Sequence, residues 1–159
     1  GANVTRWILL STHYRLTLNI TDQLIQQTQK EVGRIESALN KASIELQRHG
    51  ISDLSYDESY FDKFMQALYD DLNVANAQKE LFEVLKNLNQ EIRSKDIAGL
   101  SVDYQTILKM VEVLGLKFEL IQLSADDIDK LDLWDRLKQE KKFEEADKIR
   151  DTLLERGII

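Results

Sequence analysis

In a chain of 159 residues with a net charge of −7, the side chains best suited to hold an anionic ligand crowd into seven positions. Arg136, Lys138, Lys141 and Lys142 stand there against Glu140 alone, although acidic residues outnumber basic ones 14 to 10 over residues 101–159. Cations at this density can neutralise phosphates along a nucleic-acid backbone and release their counterions. A second constellation is His13-Tyr14-Arg15. A histidine can act as acid or base near neutral pH, and an arginine can hold a phosphate. No second His, Cys or carboxylate stands at ligand spacing, so the plainer reading of this triplet is a helix end packed into a joint. A Gly-rich phosphate loop, a Cys or His cluster and a Ser-His-Asp set are all missing from the sequence. With no cysteine there is neither a disulfide framework nor a thiolate metal site.

The elements that would position these residues are helical. Proline is absent, glycine numbers only 6, and apolar residues recur every three or four positions rather than alternating. The expectation is an all-α fold, an antiparallel helical bundle. Asn3 is a candidate cap for a short, very apolar helix through Val4, Trp7, Ile8 and Leu10. Thr21 is expected to cap a long helix to about His49, with Gly50 as its left-handed stop. Its stripe is Leu24, Thr28, Val32, Ile35, Ala38, Leu39, Ala42 and Leu46. Ser55 and Glu58 have capping-box spacing. The chain should then turn back at Asp70-Asp71-Leu72-Asn73, with Asn73 capping the next helix as far as about Ser94. Ser101 is expected to cap the helix carrying Tyr104, Ile107, Leu108, Val111 and Leu114. Ser124 and Asp127 start another, and a last helix should bury Phe143, Ala146, Ile149 and Leu153 before Gly157 ends it. Asp147 and Arg150, three apart, can pair along that helix.

Three stretches resemble one family. GANVTRWILLSTHYR (residues 1–15), the Asp-Asp-Leu-Asn turn at 70–73 with the Val-Leu-Gly-Leu run at 113–116, and KKFEEADKIRDTLLERGI (residues 141–158) are similar, in order and approximate spacing, to cysteinyl-tRNA synthetases. The third is the most specific, matching at Lys141, Phe143, Ala146, Asp147, Ile149, Arg150, Asp151, Leu153, Gly157 and Ile158. This chain departs from the family pattern where Val74-Ala75 replaces Thr-Pro. It departs again at Trp134 and Lys138, where two arginines are usual, and at Ile159, after which family members continue with a segment that helps read the anticodon.

The resemblance implies the C-terminal helical, DALR-type anticodon-binding domain of such an enzyme. Residues 1–20 would be the end of a connector and residues 21–159 the tRNA-binding domain, detached from an upstream catalytic domain. Its implied partner is cysteine tRNA, and its candidate contacts are Arg15, Arg136, Lys138, Lys141, Lys142 and Arg150. No cofactor is expected in this fragment; ATP and zinc would belong to the full-length ligase, as would catalysis. Lacking a run of roughly 18 apolar residues, the chain is expected to be cytoplasmic, and the fragment monomeric. Two other readings stand beside this one: a helical protein-interaction module, and the corresponding domain of a paralogue that ligates cysteine to a small amine.

Overall fold

The longest apolar stripe in the sequence forms the longest helix in the computed structural model, which describes residues 1–12, 17, 19–70 and 72–159. Among these residues there are seven α-helices and no strand: α1 (Ala2–Ser11), α2 (Asp22–Arg48), α3 (Glu58–Tyr69), α4 (Val74–Ser94), α5 (Ile97–Val113), α6 (Ala125–Gln139) and α7 (Phe143–Glu155). At 1.5 Å per residue α2 is about 40 Å long. Thr21 caps it by accepting from the Leu24 N–H at 3.2 Å, and Gly50 stops it at φ +63°. Thr28, Val32, Ile35, Ala38, Leu39, Ala42 and Leu46 are buried along one side, as the spacing requires. The main core sets this stripe against Phe64 of α3, Leu81, Val84 and Leu88 of α4, and Leu100, Ile107 and Met110 of α5. Short links make α3/α4 and α6/α7 antiparallel neighbours.

The turn at 70–73 forms as expected. Asp70 closes α3, Leu72 takes φ +53°, and the Asn73 side chain accepts from the Asn76 N–H at 3.1 Å. Asp71 lies outside the described residues, as do His13, Tyr14 and Arg15.

Three expected caps are corrected. Asn3 lies within α1, and its side chain brackets the Lys117 backbone instead, donating to the carbonyl at 2.6 Å and accepting from the N–H at 3.0 Å. Ser55 precedes α3 and donates to Asp53; the cap is Asp57, whose own N–H is held by Thr106 Oγ1 at 2.8 Å. Asp96 rather than Ser101 caps α5, because its carboxylate reaches the Gly99 N–H at 3.1 Å and starts the helix five residues early. The short apolar α1 buries Trp7 and Ile8 but leaves Leu9 exposed, so it is covered on one flank rather than all round.

Candidate nucleic-acid interface

The basic cluster sits on a helical hairpin, α6 and α7, with a small core of its own. Ser124 and Asp127 form a reciprocal capping box at the start of α6. Buried Asp127 also accepts from Arg156 at 2.6 Å, which ties the end of α7 to the start of α6. The Arg156 guanidinium and the Ser124 N–H hold the Asp127 carboxyl down at about 2. Leu131, Leu153 and Ile158 close around Ile44 of α2, so the hairpin's core includes a residue of the main bundle.

Polar contacts fix the same junction. Arg48 of α2 is only 14% exposed and reaches Asp132 at 2.7 Å and Asp135 at 2.8 Å on α6, as well as Glu45 on its own helix. The link 114–124 is strapped to α2 by side chains that replace missing backbone partners. Asn40 accepts from the Ile121 N–H, while Gln47 donates to the Ile121 carbonyl and accepts from the Leu123 N–H. A shared core, a forked guanidinium and this strap join the hairpin to α2.

The bend is formed by Glu140, Lys141 and Lys142. The Lys142 N–H reaches the Leu137 carbonyl at 2.9 Å and the Lys141 N–H reaches that of Lys138 at 3.2 Å, the paired bonds of a Schellman stop. The same pairing ends α2, α5 and α7, and in each the left-handed residue is a glycine: Gly50, Gly115 and Gly157. At the bend that position is Lys141, at φ +59°. Lys142 pairs with Glu140 at 2.7 Å, which raises the lysine pKa and lowers that of the glutamate. Lys138 lies 3.5 Å from the Trp134 ring centroid and 2.9 Å from Asp135. Arg136 is exposed one turn before the bend.

Phe143 overturns one expectation. The inward face of α7 is buried Ala146 and Leu153 with half-buried Ile149, whereas Phe143 is 60% exposed beside the two lysines. Phe143, Asp147 and Arg150 are spaced four and three apart and form an exposed stripe. Arg150 thus lies about 12 Å along the helix from the bend. It makes no ion pair with Asp147. The sequence did contain the signal for Phe143: at 100° per residue it falls roughly 90° from the centre of the buried stripe.

The structure therefore brings Arg136, Lys138, Lys141 and Lys142 to one end of the hairpin and Arg150 to its flank. Arg15 lies outside the described residues. Among the described residues no group of three or more His, Cys, Asp or Glu side chains is placed to hold a metal ion, and no helix is long and apolar enough to cross a membrane.

Residues 63–119, from the middle of α3 to just beyond α5, match the model of the DALR domain family. Over nearly its whole length the chain is also similar to proteins named cysteine–tRNA ligase. It is 29% identical to that of Mesoplasma florum across all of this chain, 28% to that of Acholeplasma laidlawii across 99%, and 29% to that of Acinetobacter baumannii across 98%. The chain spans about a third of the length of these relatives: 36%, 35% and 36%. The resemblance to cysteinyl-tRNA synthetases and the all-α fold expected from it are borne out.

Proposed function

We propose that this chain is the tRNA-gripping helical domain of a cysteine–tRNA ligase. The observation that carries the reading is the hairpin bend, where Lys141 and Lys142 flank an exposed phenyl ring on an element fixed to the bundle. Lys138, Lys141, Lys142 and Arg136 contact backbone phosphates, and Arg150 extends the contact along α7. Phe143 offers an unpaired base a stacking surface, the usual way in which single-stranded RNA is read. Phosphate contacts orient the tRNA; stacking and base-edge contacts select it. The rigid junction at Arg48 and Ile44 lets the domain position cysteine tRNA for chemistry elsewhere in the enzyme.

In this reading residues 1–20 end a connector and residues 21–159 form the RNA-binding body, and the enzyme works in the cytoplasm. Cysteine activation with ATP, and any zinc it uses, belong to an upstream catalytic domain. The packing of Trp7 on Phe82 and its bond to Glu31 support a connector seated on the bundle rather than swinging from it.

The test is fluorescence anisotropy against cysteine tRNA, a version with an altered anticodon and an unrelated tRNA, at low and moderate salt. Salt-sensitive binding that favours cysteine tRNA is expected. Absence of binding to any of the three at low salt refutes the reading and returns the chain to a protein-interaction module.

A further inference from the structure

A second cationic surface lies between α2 and α4, away from the hairpin bend. Arg34 of α2 with Lys86 and Arg93 of α4 lines a cleft of about 530 Å³ with Phe82 and Asn89 on its wall. An adjoining cleft of about 490 Å³ shares Arg34 and Asn89 and adds Lys30, Gly33 and Ser37. Among the described residues Glu31 is the one carboxylate lining either cleft, and its two oxygens are engaged by Trp7 Nε1 at 2.7 Å and Gln27 Nε2 at 3.0 Å. The four cations make no ion pair among the described residues, whereas Arg48, Lys130, Lys138, Lys142 and Arg156 all do. In a chain of net charge −7, four cations lining two adjoining clefts, unpaired among the described residues, are a local reversal of sign.

The position of this surface relates it to the hairpin. Lys30, Arg34, Ser37, Lys41, Ile44 and Arg48 step by four and three, so they form one stripe of α2 opposite its core stripe. Ile44 and Arg48 are the residues that receive the hairpin. Cleft and hairpin therefore lie along the same face of α2, with Arg34 and Ile44 about 15 Å apart along the axis. Small residues keep the track open: Ser37 is exposed, and a Cβ built at Gly33 would meet nothing within 4 Å.

We propose that the α2/α4 cleft is a second grip for the phosphate backbone of the RNA that the hairpin holds, with Lys30, Arg34, Lys86 and Arg93 each neutralising a phosphate. This inference rests on the reading of the chain as a tRNA-binding domain. The cleft contributes affinity and orientation but no base selection, since cations on phosphates carry no sequence information.

Three variants of the full chain separate the possibilities by anisotropy on transcribed cysteine tRNA and an unrelated tRNA across a salt series. The cleft variant carries Lys86→Gln and Arg93→Gln, the hairpin variant Lys141→Gln and Lys142→Gln, and a charge-matched control Lys95→Gln and Lys117→Gln. All six residues are exposed, and circular dichroism melts verify folding. For the cleft variant the expected result is about tenfold or greater weakening on both tRNAs, with the salt slope reduced by about 1 per cation removed. The control should bind within about twofold of the parent on the same counterion argument. A cleft variant that binds like the control, while the hairpin variant is weakened, overturns this inference and leaves the proposed function standing. A parent chain that binds no tRNA overturns both. Weakening of the cleft variant alone upholds the cleft and overturns the assignment of the bend.

Discussion

Lys141 holds a left-handed conformation that costs an L-residue about 1–2 kcal/mol, at a position where the stops of α2, α5 and α7 use glycine and only the stop of α4, at Lys95, among the described helices also uses a lysine. Lys141→Gly should therefore raise stability by about 1 kcal/mol in urea unfolding while weakening tRNA binding. Phe143→Ala separates the two effects differently. The ring is 60% exposed, so the melt should hardly move, whereas affinity should fall by about 1–3 kcal/mol if a base stacks there. A quite different residue pair governs pH response. Glu91 and Asp103 meet between α4 and α5, with Asp96 and Asp57 close by. Burial, then the neighbouring carboxylates, push Glu91 up to about 7, and burial also raises Asp103, so the pair shares a proton. A carboxyl raised in the folded state stabilises fully below its unfolded pKa and loses that contribution as pH rises through the folded value. Stability should fall between about pH 4 and pH 7, the opposite of the Asp127 contribution, which is lost as pH drops from about 4 to about 2. Glu91→Gln keeps a donor for Asp103, so it should flatten the upper limb and raise the melting temperature at pH 8. A melt that stays flat from pH 4 to pH 8 in the parent chain would contradict the shared proton.

At the scale of elements, the hairpin depends on few contacts. Leu153 is fully buried in a core of four residues, and Leu153→Ala should cost about 2–5 kcal/mol. Arg48→Ala leaves the carboxylates of Asp132 and Asp135 without their shared guanidinium and should loosen the hairpin from α2 without melting α3 to α5. Hydrogen exchange checks both: faster exchange confined to 125–155 is expected, and uniform acceleration would mean that bundle and hairpin unfold as one unit. Much of this architecture was legible in advance. The stripe of α2, the Asn73 turn, the Ser124 box and the glycine stops follow from residue type and local spacing alone. The missed caps share a cause. Asp57 competed with Ser55, Asp96 with Ser101, and Asn3 was drawn to a backbone 114 residues away, so each outcome was decided by geometry beyond the local window. Phe143 was misassigned because a step of three suggested burial, whereas the hairpin is too thin to cover a fourth position on α7.

Across the whole molecule, function depends on where charge remains unpaired. The bundle is acidic overall, and many of its cations are consumed in structural pairs: Arg48 on α6, Arg156 on Asp127, Lys130 on Asp126. Among the described residues, Arg136 and Lys141 at the hairpin bend and Lys30, Arg34, Lys86 and Arg93 around the α2/α4 cleft make no ion pair. No single segment announced the cleft, because its cations come from two helices some fifty residues apart and only packing brings them together. The bend, by contrast, was visible as a local run. The central claim is that Phe143 at that bend meets RNA bases, and photocrosslinking tests it most directly. Benzoylphenylalanine would replace Phe143 in one preparation and exposed Leu54, distant in sequence, in another, each irradiated with cysteine tRNA. The account predicts a crosslink from position 143 that maps to unpaired bases of the anticodon loop, and none from position 54. Equal crosslinking from both positions, or none from 143 under conditions where the chain binds the tRNA, would contradict it.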